Sequence, residues 1–262
     1  MMVLTSLYKE RQAAVLGGAS VLLFVLLWEA TAQLKLVDPL FLASPTLVVK
    51  AGVEMFAGGE IYKHLLLSGQ EFAMGFFLGA FVGVLMGLAM ARIQWINHVA
   101  TPFMDALYST PMVIFLPVLV FWFGIGIWTK VLLIVLGSLF PVLINTFEGA
   151  RNVDPTLVEA ARSYGASKRD LFFKVVLVSA IPFVVSGLRL GIGRAVIMML
   201  VAEFFIATGG LGYVLAVAGT SFQTSKVFVV AALVALMGVT STQFLLWYQH
   251  RIAPWLYARQ VE

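Results

Sequence analysis

The sequence predicts an all-α, polytopic membrane protein with six transmembrane helices. Of its 262 residues, 61% are hydrophobic and only 11% are charged, and the mean hydropathy is +0.99. This composition is too apolar for a soluble globular core and provides enough apolar sequence for about five to seven membrane spans. The chain contains no cysteine, which excludes disulfides, thiolate metal sites and cysteine nucleophiles.

The first span is predicted over residues 13–34, after a start that carries Lys9 and Arg11. A signal peptide is the competing interpretation of this stretch. Ala30 and Ala32 form a small-residue cleavage pattern behind an apolar run, as in secretory leaders.

Residues 35–71 are predicted to be an external segment that contains a short amphipathic helix from Leu47 to Phe56. The segment begins with the chain-breaking residues Asp38, Pro39, Ser44 and Pro45. His64 has no other metal-ligating side chain at helical spacing, so we expect a solvated surface residue rather than a metal ligand.

Span 2 is predicted from about Phe72 to Met90 and has a glycine at every fourth position. Small residues on one helix face allow another helix to approach closely, which favours association in lipid. The pattern therefore predicts a packing seam, and a sliding surface during transport is the alternative. The glycines of this stripe are Gly75, Gly79, Gly83 and Gly87.

Span 3 is predicted from about Met104 to Trp122 and contains two prolines, Pro111 and Pro117. Proline removes a helix hydrogen bond and bends the helix, and bent helices in transporters often line cavities. We therefore expect both prolines to line a cavity. Span 4 follows over residues 128–147.

The polar segment 151–182 interrupts the apolar spans and carries its own helical pattern. Asp154 and Pro155 are typical of a helix start, and Gly165 of a helix end. Ser167 and Asp170 then form a capping box for a second helix. The segment is predicted to be a helix, a glycine corner and a second helix. It either docks into a groove of a partner or lies on the lipid headgroups.

Span 5 is predicted from Pro182 to about Ala207 and contains two arginines. Arg194 lies about 18 Å along the helix, near the middle of a ~30 Å hydrocarbon core. It either supplies positive potential to an anionic solute or pairs with carbonyls or an acid at a helix or subunit interface. Gly187 and Gly191 repeat the spacing of span 2 and predict tight helix packing. The predicted pathway residues are Pro111, Pro117, Arg189, Arg194 and Met198.

Residues 208–226 are predicted to form an external glycine-rich turn, with unusual backbone dihedrals at its glycines. Span 6 is then predicted over residues 227–247. The predicted domain organisation is an N-terminal segment with span 1 over 1–34, the external segment over 35–71, a membrane core with spans 2–6 over 72–247 and a cytoplasmic tail over 248–262.

The distribution of Lys and Arg predicts cytoplasmic N and C termini and a cytoplasmic position for segment 151–182. Basic residues are enriched in the cytoplasmic loops of membrane proteins. A six-span arrangement places ten of the 17 basic residues inside, five outside and two within span 5. The ten are Lys9, Arg11, Arg92, Arg151, Arg162, Lys168, Arg169, Lys174, Arg251 and Arg259. The five are Lys35, Lys50, Lys63, Lys130 and Lys226.

The sequence predicts that the chain is not an enzyme. It has no G-x-x-x-x-G-K-[ST] phosphate loop, no H-E-x-x-H motif and no G-x-S-x-G motif. Its three histidines are scattered. We therefore expect no catalytic residue, no resident cofactor and no metal site.

One stretch, EAARSYGASKRDLFFKVVLVSAIP, resembles the cytoplasmic EAA loop of ABC importer inner-membrane permeases. The anchors are Glu159, Ala160, Ala161, Gly165 and Pro182, and Ile181 stands where many members have leucine. The motifs SPTLV, FGIGIWTK, NVDPTLVEAA, SGLRLGIGRA and GGLGY extend the resemblance over about residues 44–247. These motifs are similar to the nitrate, sulfonate and taurine branch of the family.

The resemblance implies a multi-pass permease subunit in a bacterial-type inner membrane. An external binding protein would deliver a small anionic solute, a second permease copy would complete a homodimer, and ATP with Mg²⁺ would sit on a separate ATPase. The implied ATPase-coupling residues are Glu159, Ala160, Ala161, Tyr164, Gly165, Ala166 and Ser167. A secondary transporter driven by an ion gradient is the alternative, although such a protein usually needs intramembrane carboxylates for coupling.

Overall fold

The computed structural model describes residues 2–252, with the side chains of Gln12 and residues 15–251. Over these residues the protein is helical and has no strand, so the all-α class is confirmed. The helices are α1 (Met2–Gln33), α2 (Pro45–Ala57), α3 (Glu60–Arg92), α4 (Gln94–Ser109), α5 (Leu116–Phe123), α6 (Ile127–Arg151), α7 (Pro155–Ser163), α8 (Lys168–Asp170), α9 (Leu177–Ile206), α10 (Leu211–Thr220) and α11 (Thr224–Ile252). The part of the predicted tail beyond residue 252 lies outside the described residues.

Five of these helices are long and apolar enough to cross a membrane, and there are six spans if α4 and α5 count as one bent span. The chain forms two compact units. One consists of Met1–Tyr62 and Val214–Ala232, and the other of Lys63–Tyr213 and Leu233–Glu262.

The first unit contains the predicted amphipathic helix, α2. Ser44 caps this helix by accepting a hydrogen bond from the amide of Leu47 at 3.3 Å, and Pro45 occupies its first turn. The Glu29 carboxylate at the end of α1 accepts bonds from the amide and hydroxyl of Thr46, at 3.0 and 2.8 Å. These bonds join α1 to the start of α2.

Helix α3, which belongs to the second unit from Lys63 onward, begins at Glu60, well before the predicted start of span 2 at Phe72. The polar residues in its first turns do not end the helix, because several of them are buried. Ser68 and Glu71 are both enclosed. The predicted external segment is thus helical over its last part.

The glycine stripe of α3 lies directly against the backbone of α6. A Cβ atom added at Gly83 would lie 2.8 Å from the carbonyl oxygen of Leu139, and one at Gly87 would lie 2.7 Å from that of Leu143. On another face of α6, a Cβ at Gly187 of α9 would lie 3.0 Å from the Pro141 carbonyl oxygen. Helix α6 is therefore held between two glycine-lined helices at close backbone distance.

The predicted bend of span 3 occurs at its first proline. Helix α4 ends at Ser109, Pro111 precedes a 3₁₀ turn over Met112–Phe115, and α5 starts at Leu116. The two parts of this span differ in direction by 97°. The span also begins earlier than predicted, because α4 starts at Gln94 rather than Met104.

The polar segment 151–182 forms the predicted helix, corner and second helix. Helix α7 is followed by a corner at residues 164–167 and then by α8, which continues through a π-helical turn at Leu171–Val176 into α9. Pro182 was predicted to start span 5 but lies inside α9. We define the hairpin as residues 155–176. Its second helix is thus continuous with span 5.

Candidate functional site

Local hydrogen bonds define both helix starts of the hairpin. Asp154 Oδ1 accepts bonds from the amide and hydroxyl of Thr156, at 2.9 and 2.7 Å, and these bonds lower the pKa of the Asp154 carboxyl. Ser167 Oγ accepts from the Asp170 amide at 3.1 Å, and the Asp170 carboxylate accepts from the Ser167 amide at 3.3 Å. The sequence-predicted caps are thus in place.

The corner between the two helices exposes the predicted coupling residues. Gly165 has φ of +79°, a left-handed conformation that glycine adopts without steric cost. Tyr164 beside it is 93% exposed, and Leu157 on the same helix face is half exposed. Glu159, Ala160, Gly165 and Ser167 are also exposed, whereas Ala161 and Ala166 are half-buried. The corner therefore presents apolar side chains that no other described residue covers.

The hairpin contacts the end of α3. The Arg92 guanidinium lies 4.7 Å from the centre of the Phe172 ring, within the range of a cation–π interaction. A cavity of about 430 Å³ separates the two elements elsewhere, and its basic lining residues are Arg92, Arg162 and Lys168. A displacement of the hairpin would therefore act on α3 as well as on α9.

The bend of span 3 opens a second cavity, of about 290 Å³. Its lining comes from the end of α4, the middle of α6 and the middle of α9. Three of the predicted pathway residues meet here, and the lining includes Tyr108, Thr110, Pro111, Gly137, Arg194 and Met198. Pro117 and Arg189 do not line this cavity.

Arg194 is exposed in the single chain. The ion pairs between described residues are Lys130–Glu71 and Lys174–Asp170, so Arg194 has no acidic partner within residues 15–251. A guanidinium in the middle of an apolar helix needs a compensating group. The cavity supplies space for an anion at this position.

A buried charged cluster lies near the opposite end of α6 from the hairpin. Lys130 Nζ donates to Glu71 Oε1 at 2.9 Å, and the side chains of both residues are 1% exposed. Glu203 near the end of α9 is fully buried and accepts a bond from Ser68 Oγ at 2.6 Å. Three helices therefore bring two acids and one base together, and we define the charged cluster as Glu71, Lys130 and Glu203.

The charged cluster and its neighbours hold the loop over residues 209–212. Lys130 Nζ donates to the Gly209 carbonyl oxygen at 3.2 Å, and the Gly212 amide donates to Glu203 Oε2 at 2.7 Å. The Leu211 amide donates to Ser68 Oγ at 2.8 Å. Each of these loop residues is thus fixed by a side chain from α3, α6 or α9.

Two glycines of this loop have dihedrals that other residues adopt only with strain. Gly209 and Gly210 have φ of +149° and +101°, as the sequence predicted for the glycine-rich turn. A Cβ at Gly210 would also collide with the Glu203 carboxylate. Both the backbone conformation and the contact with Glu203 thus require glycine here.

The sequence interpretation missed this cluster and was wrong for His64. Glu71 and Lys130 are 59 positions apart. Glu71 was predicted to be the last residue of the external segment, and Lys130 was predicted to be an external basic residue. His64 is not a solvated surface residue, because its Nδ1 accepts the Gly210 amide at 3.1 Å and its ring stacks on Tyr213. Only Glu203 lies close in sequence to the GGLG motif at residues 209–212, so no signal in the sequence joins the three charged residues.

Five apolar helices of span length, or six with the bent pair counted as one span, indicate a polytopic membrane protein. Over residues 79–255 the sequence matches the family described as "Binding-protein-dependent transport system inner membrane component". This match covers more than half of the chain, and the chain belongs to that family.

Curated relatives support the same assignment. The chain is 36% identical to the putative aliphatic sulfonates transport permease protein SsuC of Escherichia coli K12, over 82% of this chain and 81% of that protein. It is 32% identical to the taurine transport system permease protein TauC of the same strain, over 92% and 88%. It is also 32% identical to the riboflavin transport system permease protein RibX of Chloroflexus aurantiacus, over 84% and 82%.

The fold is shared with a solved ABC transporter. A crystal structure of an amino acid ABC transporter with histidines has a TM-score of 0.58 and 21% sequence identity, over 76% of this chain and 98% of that chain. The family match and the curated relatives show that the protein is a multi-pass inner-membrane permease subunit of an ABC importer, as the EAA-loop resemblance implied. Membership of this family excludes the alternative of a secondary transporter. Members of the family are components of transport systems rather than enzymes.

Proposed function

We propose that this permease conducts a small organic solute that carries an anionic sulfonate group, such as an alkanesulfonate or taurine. The observation that carries the proposal is Arg194, a charged side chain that lines the cavity beside the bent span. Names of relatives alone do not select the solute, because similar permeases are named for sulfonates, taurine and riboflavin. The charge of Arg194 favours the anionic solutes among these.

The chemistry of arginine suits this role. A guanidinium offers five donors in a planar fork that matches the oxygens of a sulfonate or carboxylate. Bonds between ionised partners are roughly twice as strong as neutral ones, and more so where water is excluded. An anionic group in this cavity would compensate the positive charge of Arg194 while the guanidinium is away from water.

Uptake of radiolabelled taurine or an alkanesulfonate by reconstituted vesicles tests the proposal. Arg194→Gln removes the charge, and Arg194→Lys keeps it. Loss of a hydrogen bond to a charged group costs roughly 1.5–3 kcal/mol. We therefore expect the Gln variant to lose about tenfold or more of its uptake rate at low solute concentration, and the Lys variant to keep most of it.

Two outcomes would contradict this role. Normal anion uptake by Arg194→Gln would show that the charge is not used for the solute. A Gln variant that is unfolded or monomeric on size-exclusion chromatography would support the structural interpretation, in which Arg194 pairs at a subunit interface.

Energy coupling is proposed to occur at the corner of the hairpin. Its exposed Tyr164 and Leu157 provide an apolar surface for a groove on a separate ATPase, which would bind ATP and Mg²⁺. An external binding protein would deliver the solute, and a second copy of this chain would complete the pathway. Continuity of the hairpin with α9 would transmit the ATPase movement to the span that carries Arg194.

A further inference from the structure

The charge balance of the charged cluster is uneven. Glu71, Lys130 and Glu203 are each at most 1% exposed, and two carboxylates with one ammonium leave one negative charge uncompensated. An uncompensated buried charge is much more costly than a neutral buried group. Two further titratable groups lie beside the loop: His64 of α3, whose Nδ1 accepts the Gly210 amide at 3.1 Å, and Tyr213 of α10, on which the His64 ring stacks.

The hydrogen bonds show where the imbalance lies. Glu71 Oε1 accepts a hydrogen bond from Lys130 Nζ. Glu71 Oε2 is buried and has no hydrogen-bond donor among the described residues. Glu203 binds the same loop as Lys130, the partner of Glu71: Glu203 Oε2 accepts the Gly212 amide at 2.7 Å, and Lys130 Nζ donates to the Gly209 carbonyl oxygen at 3.2 Å. A single proton between the two carboxyl groups would both supply the missing donor and remove the excess charge.

We propose that Glu71 and Glu203 share one proton, so that the permease contains a buried proton-binding site. Lys130 balances the remaining carboxylate. The site is therefore neutral overall, with one acid O–H donated to the other carboxyl group.

The shared proton stabilises the position of loop 209–212. The loop contacts the cluster on two sides, through Lys130 with Gly209 and through Glu203 with Gly212. Departure of the loop would admit water, and each carboxyl would then ionise as it does in solvent. Loop position and proton binding are thus linked, and raising the pH favours release of the loop.

Infrared spectroscopy of the full-length permease in lipid nanodiscs tests the shared proton. A protonated carboxylic acid has a carbonyl stretching band separate from the carboxylate bands, and this band shifts in D₂O. We expect the band in the wild type at neutral pH, where exposed carboxyl groups are ionised. Its absence from the wild type would overturn the proposal without any variant.

Three variants change the number of charged groups in the cluster, and with one control they test whether the band comes from Glu71 and Glu203. Glu71→Gln and Glu203→Gln each leave one carboxylate for Lys130, so both should lose the band. Lys130→Met removes the positive charge, so a second proton should bind and the band should grow. The control Glu148→Gln replaces an exposed acid and should change nothing. A band that survives in both Gln variants at the cluster would also overturn the proposal.

Discussion

At the scale of single residues, the glycines of α3 differ in how closely another helix approaches them. Gly87 faces the backbone of α6 at a distance that leaves no space for a methyl group, whereas Gly69 on the same helix has no atom within 4 Å of an added Cβ. Without a strong hydrophobic driving force between helices in lipid, such close contacts supply much of the association energy.

This difference predicts opposite results for the same substitution on one helix. Gly87→Ala should lower the thermal midpoint of the detergent-solubilised protein, because overpacking costs roughly 1–3 kcal/mol. Gly69→Ala should leave it unchanged or raise it, since alanine favours a helix over glycine by about 1 kcal/mol. Equal midpoints for the two variants would show that the glycine stripe is not a packing seam.

A second residue-scale prediction concerns Ser68, whose hydroxyl joins the Leu211 amide to Glu203. In Ser68→Ala the Leu211 amide should exchange its hydrogen about fivefold faster or more, because an unsatisfied buried group costs about 1–3 kcal/mol. Mass spectrometry after hydrogen exchange measures this. The matched control is Ser186→Ala, whose hydroxyl bonds only the Pro182 carbonyl one turn back. Faster exchange of Leu211 in the control, or no change in Ser68→Ala, would contradict the account.

Sequence reasoning at this scale succeeded where the cause was local. Gly165 was predicted to end a helix because a left-handed position needs glycine, and its φ is positive. Glu71, Lys130 and Glu203 were out of reach, because their roles depend on helices far apart in the sequence. From the sequence alone, a solvated charged residue near a span end cannot be distinguished from one that belongs to a buried charged cluster.

At the scale of elements, prolines and caps determine where helices break. The bend at Pro111 and the caps of Asp154 and Ser167 follow from neighbouring residues, and the structure has them where the sequence predicted. Helix extents were harder to predict. Helix α3 starts at Glu60 and α9 passes through Pro182, because tertiary burial and continuity with the hairpin outweigh local signals.

The hairpin corner predicts a graded response to substitution of Gly165. Valine is β-branched and strained at positive φ, whereas asparagine tolerates the left-handed region. Gly165→Val should abolish ATP-driven uptake while membrane insertion stays intact, and Gly165→Asn should retain part of it. Uptake assays with immunoblotting of the membrane fraction measure both. Normal uptake by Gly165→Val would show that the shape of the corner is not used in coupling.

At the scale of the whole molecule, the positive-inside distribution predicts which ends face the cytoplasm. The hairpin and the turn before α6 lie at opposite ends of that helix, and Tyr164 and Ile125 are both exposed there. Because the chain has no cysteine, a single introduced cysteine is the only thiol that a maleimide can label. Its labelling therefore shows on which side of the membrane that position lies. An impermeant maleimide should label Ile125→Cys in intact cells and Tyr164→Cys only after permeabilisation. The reverse pattern would invert the topology.

The central claim is that the hairpin couples this permease to a separate ATPase, and site-specific photo-crosslinking tests it most directly. A photoreactive residue in place of Tyr164 is compared with one in place of Ile125, and crosslinked proteins are identified by mass spectrometry. The account predicts a P-loop ATPase crosslinked from Tyr164 and not from Ile125. No ATPase at Tyr164, or equal capture from both positions, would contradict it.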